Sequence, residues 1–366
     1  MAPNSGPIPR IVSDGARTEN TVSDNRWTDA HHQPQDEELE ISLRPRSLDE
    51  FIGQEELKAN LRIFIAAAKL RGEVLDHVLL HGPPGLGKTT LSQIVAAEMG
   101  MEIRLTSGPA FTNSAELIAL LTEQTDRRAI FIDEIHRLGR VIEEHLYPAM
   151  EDWRVELIID KGPNARHFNM QLEPFTLIGA TTRAGLITPA MRSRFGIVCH
   201  LDFYPPQDLA VIVTRSAGIL NIGIDEGGAL EIARRSRGTP RAANRLLRRV
   251  RDFAQVEGKT IIDREIADAG LTRLGVDRLG LEPLDRRYLQ LIIEHFGGGP
   301  VGIQNLSVSL GEETDTLEDV VEPFLIQSGL LKRTSRGREA TPHAWAHLGL
   351  RQPPTGAGGG AQGELL

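Results

Sequence analysis

One stretch constrains this chain more than any other. Gly82-Pro-Pro-Gly-Leu-Gly-Lys-Thr89 directly follows an apolar run, Val78-Leu-Leu-His81, and precedes a helical pattern over Thr90–Gly100. A strand that enters a glycine-rich turn and leaves as a helix is the P-loop pattern in its required context. Glycines let the backbone curl until its N–H groups face phosphate oxygens, and the positive helix end adds to the attraction. Gly85 and Gly87 are therefore expected beside the phosphates, with Lys88 reaching the β- and γ-phosphates. Thr89 is expected on a magnesium ion and Thr90 on a further phosphate oxygen. Two more short apolar runs, Ala129–Ile132 and Phe175–Gly179, also end in polar or glycine residues. That is how parallel strands with ligands at their carboxyl ends read, so the fold expected here is an α/β P-loop domain with a parallel sheet.

The second run leads into Asp133-Glu134. Asp133 is expected to hold magnesium, directly or through water, and Glu134 to polarise an attacking water in line with the γ-phosphate. Together with the P-loop, the pair predicts a nucleoside-triphosphate hydrolase. The third run ends in Thr181-Thr182, whose hydroxyls reach water or γ-phosphate if that strand lies beside the Asp-Glu strand. Arg192 and Arg194 follow in Ala190-Met-Arg-Ser-Arg-Phe-Gly196. Spacing alone leaves either as a surface ion pair or as a guanidinium offered to a neighbouring subunit. Arg241 comes directly after Pro240, near an expected helix start, where a cation opposes the helix dipole and needs an anionic partner such as a phosphate. Arg245, Arg248, Arg249 and Arg251 read as a solvated face in preference to a nucleic-acid stripe.

At 366 residues the chain is long enough for two or three domains. Alternating strands and helices occupy 41–205, opened by a possible capping box at Ser47-Leu-Asp-Glu50. Residues 206–275 read as all helix, and 279–350 as helices 284–296, 303–310 and 314–327 followed by a hairpin near Arg333–Arg338. Residues 1–40 read as a disordered acidic tail and 351–366 as a disordered glycine-rich one. The first tail holds three Arg against eight Asp or Glu, more than half of the net charge of −9, so a basic surface elsewhere is not excluded. No apolar run approaches a membrane span, and a single cysteine, Cys199, fits a reducing compartment. A cytoplasmic protein is expected.

Taken in order, these motifs resemble the AAA+ ATPases and, more closely, the RuvB family of Holliday-junction branch-migration motors. The residues that carry the resemblance are Ser42–Gln54, His81–Thr90, Phe131–His136, Phe175–Gly185, Met191–Gly196, Gly238–Arg241, Gly298–Gly302 and Arg333–Arg338. The resemblance implies a homohexameric ring that hydrolyses ATP with Mg2+ between subunits, a helical lid after the P-loop domain and a C-terminal winged-helix domain. It further implies that Leu43, Arg44, Tyr204 and Glu151-Asp152-Trp153 border the nucleotide. Thr182 would be its polar sensor, Arg194 the finger acting in trans, and Arg241 a second sensor. In this family the motor works with the junction-binding protein RuvA, ahead of the resolvase RuvC.

Phe168, Met170 and Leu172 alternate with polar residues, as in a half-buried strand. The resemblance makes this insertion a RuvA-docking hairpin, with Phe168 and Met170 as exposed anchors. In the third domain, Glu312, Glu313, Asp315, Glu318, Asp319 and Glu322 would repel phosphates from the helix that normally enters a groove. The basic hairpin carries Lys332, Arg333, Arg336 and Arg338, of which the three arginines are expected on the DNA backbone without base reading. One departure from the family pattern is Thr314, where an Arg often follows the paired glutamates. An AAA+ clamp-loader or helicase-loader switch is the competing reading. A protein unfoldase is disfavoured, because Phe111 lies in Ser107–Thr112 without the aromatic-glycine pair.

Overall fold

The computed structural model describes residues 41–123, 128–159 and 166–352. The acidic tail at 1–40 and nearly all of the glycine-rich one lie outside these residues. Seven strands come first: β1 (Val78–His81), β2 (Glu102–Ser107), β3 (Arg128–Asp133), β4 (Arg154–Ile159), β5 (Arg166–Gln171), β6 (Phe175–Thr181) and β7 (Ile197–His200). Five of them form one parallel sheet in the order β2-β3-β6-β1-β7. Every residue of β6 is buried, as are the first three of β1 and the first five of β3. Such continuous apolar runs arise because helices cover both faces of the sheet. The edge strand β7 instead alternates, burying Ile197 and Cys199 and exposing Val198. β4 and β5 stand apart as an antiparallel hairpin pairing Arg154 with Gln171.

The helix after the P-loop, Lys88–Met99, packs Leu91, Ile94 and Val95 into a core shared with β1, β3 and β6. That same core continues into the next unit through Leu209, Val213, Ile232, Leu246 and Leu247. This unit consists of helices Pro206–Ile219, Glu226–Arg234, Pro240–Val256 and Arg264–Arg273. It is not entirely helical, since Gly223–Ile224 and Ile261–Ile262 pair as two-residue parallel strands. Arg245 and Arg248, expected on a solvated face, are buried.

The last unit has its own core, built on Leu289, Ile292, Leu306, Val321, Leu325 and Trp345. Helices Pro283–Phe296 and Ile303–Leu310 precede a composite helix and the hairpin Leu331–Thr334/Gly337–Ala340. The composite helix begins as Thr314–Thr316, widens into a π-helical turn at Leu317–Val321 and resumes as Glu322–Gln327. Polar contacts tie this unit to the lid: the buried Arg237 guanidinium pairs with Asp285 and donates from Nε to the Gly280 carbonyl at 3.0 Å.

The start of the chain departs from expectation. Glu50 N–H donates to Ser47 Oγ at 3.3 Å, but the Glu50 carboxylate accepts from Arg46 N–H, not Ser47 N–H. Half a capping box therefore closes a turn. The helix begins only at Glu55, after Gly53 and Gln54 both adopt left-handed φ. Among the described residues, no helix is long and apolar enough to cross a membrane.

Candidate functional site

A cavity of about 780 Å³ opens at the carboxyl ends of β1, β3 and β6, where the lid meets the sheet. The P-loop forms its floor. Gly82 has φ +147°, and a Cβ there would collide with the Leu201 carbonyl oxygen, so only glycine lets the chain turn sharply out of β1. Gly87 N-caps the following helix with no side-chain cap, leaving that helix's first N–H groups to face the cavity. Lys88 donates from Nζ to the Gly82 and Pro83 carbonyls, each at 2.9 Å. Burial brings its ammonium pKa down to about 8, although Asp133 and Glu134 pull the other way.

β3 delivers the carboxylates. Asp133 ends the strand, and its Oδ1 accepts the Glu134 N–H at 2.9 Å. Glu134 then adopts φ +47°, a rare conformation for a non-glycine residue, which turns its side chain towards β6. There Thr182 donates its hydroxyl to Glu134 Oε2 at 3.2 Å, and His136 Nδ1 lies 3.3 Å from the same oxygen. Burial, and then the Asp133 charge, push the Glu134 pKa up. Burial and the nearby Arg183 lower that of His136. The carboxylate thus accepts the Thr182 hydroxyl and lies beside the His136 ring, whose Nδ1 is also 2.8 Å from the Thr181 hydroxyl.

Two further segments close the cavity. Leu43 and Arg44 line it from the segment ahead of the Glu55–Arg71 helix, and the Leu43 carbonyl accepts from Arg215 Nη1 at 2.8 Å. On the lid side, Arg241 lines the cavity while its N–H donates to the Gly85 carbonyl at 3.4 Å. Tyr204 is buried at the junction and donates its hydroxyl to the Leu86 carbonyl at 3.4 Å. The structure therefore brings Leu43, Arg44, Gly85, Gly87, Lys88, Thr89, Thr90, Asp133, Glu134, Thr182, Tyr204 and Arg241 to one cavity. Sequence reasoning missed Arg183, Arg215, Asp315 and Asp319, which line it too.

Glu151, Asp152, Trp153 and Arg194 lie elsewhere. Trp153 packs against His77 and Phe175, with ring centroids 5.5 and 5.4 Å away, at the amino ends of β1 and β6. Arg194 precedes β7, whose first residue pairs with the first residue of β1. Its Nη2 donates to Glu151 at 3.0 Å, and its guanidinium stacks 4.1 Å from the Tyr147 ring centroid. Strands rise ~3.3 Å per residue, so the length of the sheet separates this arginine from its own P-loop.

Among the described residues, no group of three or more His, Cys, Asp or Glu could hold a metal. The Thr89 hydroxyl and the Asp133 carboxylate are a hard-oxygen pair on the cavity wall. Such a pair fits Mg2+, which keeps several waters and takes its remaining ligands from phosphates.

On the hairpin side, Met170 is exposed and Leu172 is buried, while the Phe168 side chain lies outside the described part. In the third unit, Arg338 is mostly buried: its Nε donates to Glu322 at 2.9 Å and its Nη2 to Glu318 at 2.5 Å. Arg333 Nε donates to Glu322 at 3.1 Å. Two of the three arginines expected on DNA, Arg333 and Arg338, thus brace the hairpin against the acidic helix. Lys332 and Arg336 remain exposed, Arg336 at the turn.

A parallel-sheet P-loop domain carrying an Asp-Glu strand tip, a helical lid that reaches the P-loop and a winged-helix unit define an AAA+ nucleotide-binding protein. Three family models cover these units in turn. They are the Holliday junction DNA helicase RuvB P-loop domain over 43–201, the RuvB AAA lid domain over 204–277 and the RuvB C-terminal winged helix domain over 278–349. The chain belongs to the RuvB family. It is 54% identical to a Holliday junction branch migration complex subunit RuvB of Streptomyces avermitilis over 349 residues, 95% of this chain and 98% of that one. A Rubrobacter xylanophilus protein of the same description is 60% identical over 315 residues, 86% of this chain and 89% of that one. The solved Thermotoga maritima RuvB Holliday junction branch migration motor superimposes with TM-score 0.78 at 48% identity, covering 85% of this chain and all of the other.

Proposed function

We propose that this chain is an ATP-driven DNA motor subunit, acting as a homohexameric ring on Holliday junctions together with RuvA. The observation that carries the reading is the polarity of the sheet. Lys88, Asp133 and Glu134 sit at the carboxyl ends of the strands, while Arg194 sits at the amino ends. An arginine that cannot reach its own site can reach a neighbour's, and in a ring of copies each cavity is completed by the next. Glu151, Asp152 and Trp153 lie on that same remote end and would border a neighbour's nucleotide.

In hydrolysis, Lys88 and the P-loop N–H groups bind the phosphates and Arg241 closes the lid on them. Thr182 orients Glu134, which takes the proton of the attacking water. Thr89 and Asp133 would hold Mg2+, which neutralises charge developing on the phosphate oxygens. Arg194 from the neighbour offsets the remaining transition-state charge, an effect worth ~10³–10⁵ in rate. Movement of the lid carries the winged helix with it through Arg237 and Asp285.

Lys332, Arg333 and Arg336 contact the DNA backbone without reading bases, as a motor that must pass any sequence requires. Arg338 serves this surface by holding the hairpin. Phe168 and Met170 dock RuvA, and RuvC joins the assembly at the junction. A motor that works on DNA with RuvA would act in the cytoplasm.

The test is ATP-driven dissociation of a synthetic four-way junction, with and without RuvA, comparing wild type with Glu134→Gln and Arg194→Ala. Dissociation that needs ATP and RuvA and disappears in both variants is expected. Hydrolysis without strand movement would instead indicate a loader-type switch.

A further inference from the structure

One carboxylate of the acidic helix of the winged-helix unit turns to the nucleotide cavity and not to open solvent. Its Asp319 carboxylate receives the Arg183 guanidinium through both oxygens, from Nε at 2.8 Å and from Nη2 at 2.5 Å, and Asp315 lies 3.6 Å from the same Nη2. Arg183 follows Thr182 directly, and all three charged residues line the nucleotide cavity. The two parallel hydrogen bonds that this guanidinium gives to a carboxylate are the ones it would give to two oxygens of a phosphate. Here the anion comes from another domain, 136 residues away in sequence.

The backbone is built for this contact. Asp319 sits in the π-helical turn Leu317–Val321, the widened helical geometry that recurs at functional sites. Leu317 and Val321 are fully buried on the core side of this turn, while Asp319 points away to Arg183. On the same turn Glu318 holds Arg338 of the basic hairpin at 2.5 Å. One helical turn therefore touches the nucleotide cavity on one side and the hairpin on the other.

We infer that the Arg183–Asp319 pair is an autoinhibitory latch, which seats the winged helix on the nucleotide cavity and weakens triphosphate binding until that domain moves away. The inference rests on the nucleotide-site reading above. Asp315 and Asp319 add two carboxylates to a cavity that already holds Asp133 and Glu134, and Asp319 ties up a cation that would otherwise favour phosphate. By linkage, a triphosphate opposed by the closed latch must itself favour the open one.

The test uses the full chain titrated with magnesium and β,γ-imido-ATP, which cannot be hydrolysed at the γ-phosphate. Asp319→Asn is expected to bind about fivefold tighter than wild type, the low end of typical coupling between sites, and Asp319→Glu to stay within about twofold of it. Amide hydrogen exchange across Thr314–Gln327 in unsubstituted protein should quicken when the analogue is saturating. Equal affinity of wild type and Asp319→Asn, or equal gains from Asn and Glu, would overturn the latch while leaving the nucleotide site intact. Slowed or unchanged exchange on binding would overturn it as well. Absence of binding in all three proteins would overturn both readings.

Discussion

Glu322→Gln isolates what the buried carboxylate contributes to the winged-helix unit. Glu322 is fully buried and accepts from Tyr288 Oη at 2.7 Å, Arg338 Nε at 2.9 Å and Arg333 Nε at 3.1 Å. Glutamine keeps the shape and one acceptor oxygen for Tyr288 but removes the charge that two guanidiniums share. Breaking a buried ion pair costs ~3–5 kcal/mol when it strands a charge. Two features reduce that figure. The Arg333 side chain is 47% exposed, so water screens it and its share is at most ~1 kcal/mol. Arg338, at 11% exposure, keeps Glu318. The expected loss is therefore ~2–3 kcal/mol, near the lower bound of the buried-pair range. Trp345 lies in the same core, so its fluorescence reports this unit in a Trp27→Phe/Trp153→Phe background. Urea unfolding should show an earlier midpoint with an unchanged slope. Replacing Tyr288, Glu322 and Arg338 together by Phe, Leu and Met should recover most of the loss, since neither the ion pair nor the buried hydroxyl then remains to be desolvated. A loss below ~0.5 kcal/mol for Glu322→Gln would refute the reasoning, because that is the size of an ordinary surface change.

Other outcomes follow from the nucleotide cavity and the hairpin. Lys88 titrates near pH 8 in the free protein, and bound phosphates hold it protonated, so affinity for a non-hydrolysable ATP analogue should fall as pH rises through 8. For one group the fall is ~10-fold between pH 7 and 9, with proton uptake on binding measurable by calorimetry at pH 9; a flat profile would contradict the buried ammonium. The same depressed pKa makes the unfolded chain bind more protons between about pH 8 and 10.5, so Lys88 adds to folding stability as pH rises across that window. Glu134→Gln should slow hydrolysis ~10²–10⁴-fold while still retaining ATP on filters. Mixing it with Arg194→Ala should regain activity, because some interfaces then pair an intact Glu134 with an intact Arg194; mixtures no more active than their components would place the arginine in cis. Arg336→Ala should lower the salt dependence of DNA binding by about one counterion and leave the urea midpoint unchanged, whereas Arg338→Ala should shift that midpoint.

How much of this was legible depended on the range over which each interaction acts. The P-loop could be read because its glycines, its lysine and its flanking strand and helix are consecutive. β3 and β6 could be read because burial on both faces leaves unbroken apolar runs that stop where the ligand side begins. The local capping signal at Ser47–Glu50 misled, since two successive left-handed residues, Gly53 and Gln54, delay the helix to Glu55. Arg333 and Arg338 read as freely exposed because a hairpin rich in arginine reads as a basic surface, and their ion pairs were not foreseen. Their carboxylate partners lie 11 to 20 residues earlier, on a helix whose packing sequence alone does not reveal. Charge alone kept the six carboxylates on and just before that helix from reading as a DNA contact, but it could not say that Asp319 would meet Arg183.

The two ends of the sheet explain why so short a cavity wall needs so long a chain. A triphosphate must be gripped before transition-state charge develops on it, and the groups for gripping are all supplied in cis by P-loop, strand tips and lid. The group that offsets developing charge sits at the other end of the same rigid sheet, fixed by Ala190, Glu151 and Tyr147. Arg194 lies just before β7, at the amino end of β1, and its ties to Glu151 and Tyr147 hold it away from its own nucleotide. Under the proposed function hydrolysis is conditional on a neighbour, and under the proposed latch the Arg183–Asp319 contact makes binding conditional on the winged helix. A subunit with both conditions idles when alone and turns over only when assembled and displaced, which is the order of events a motor needs if it is not to spend ATP away from its track.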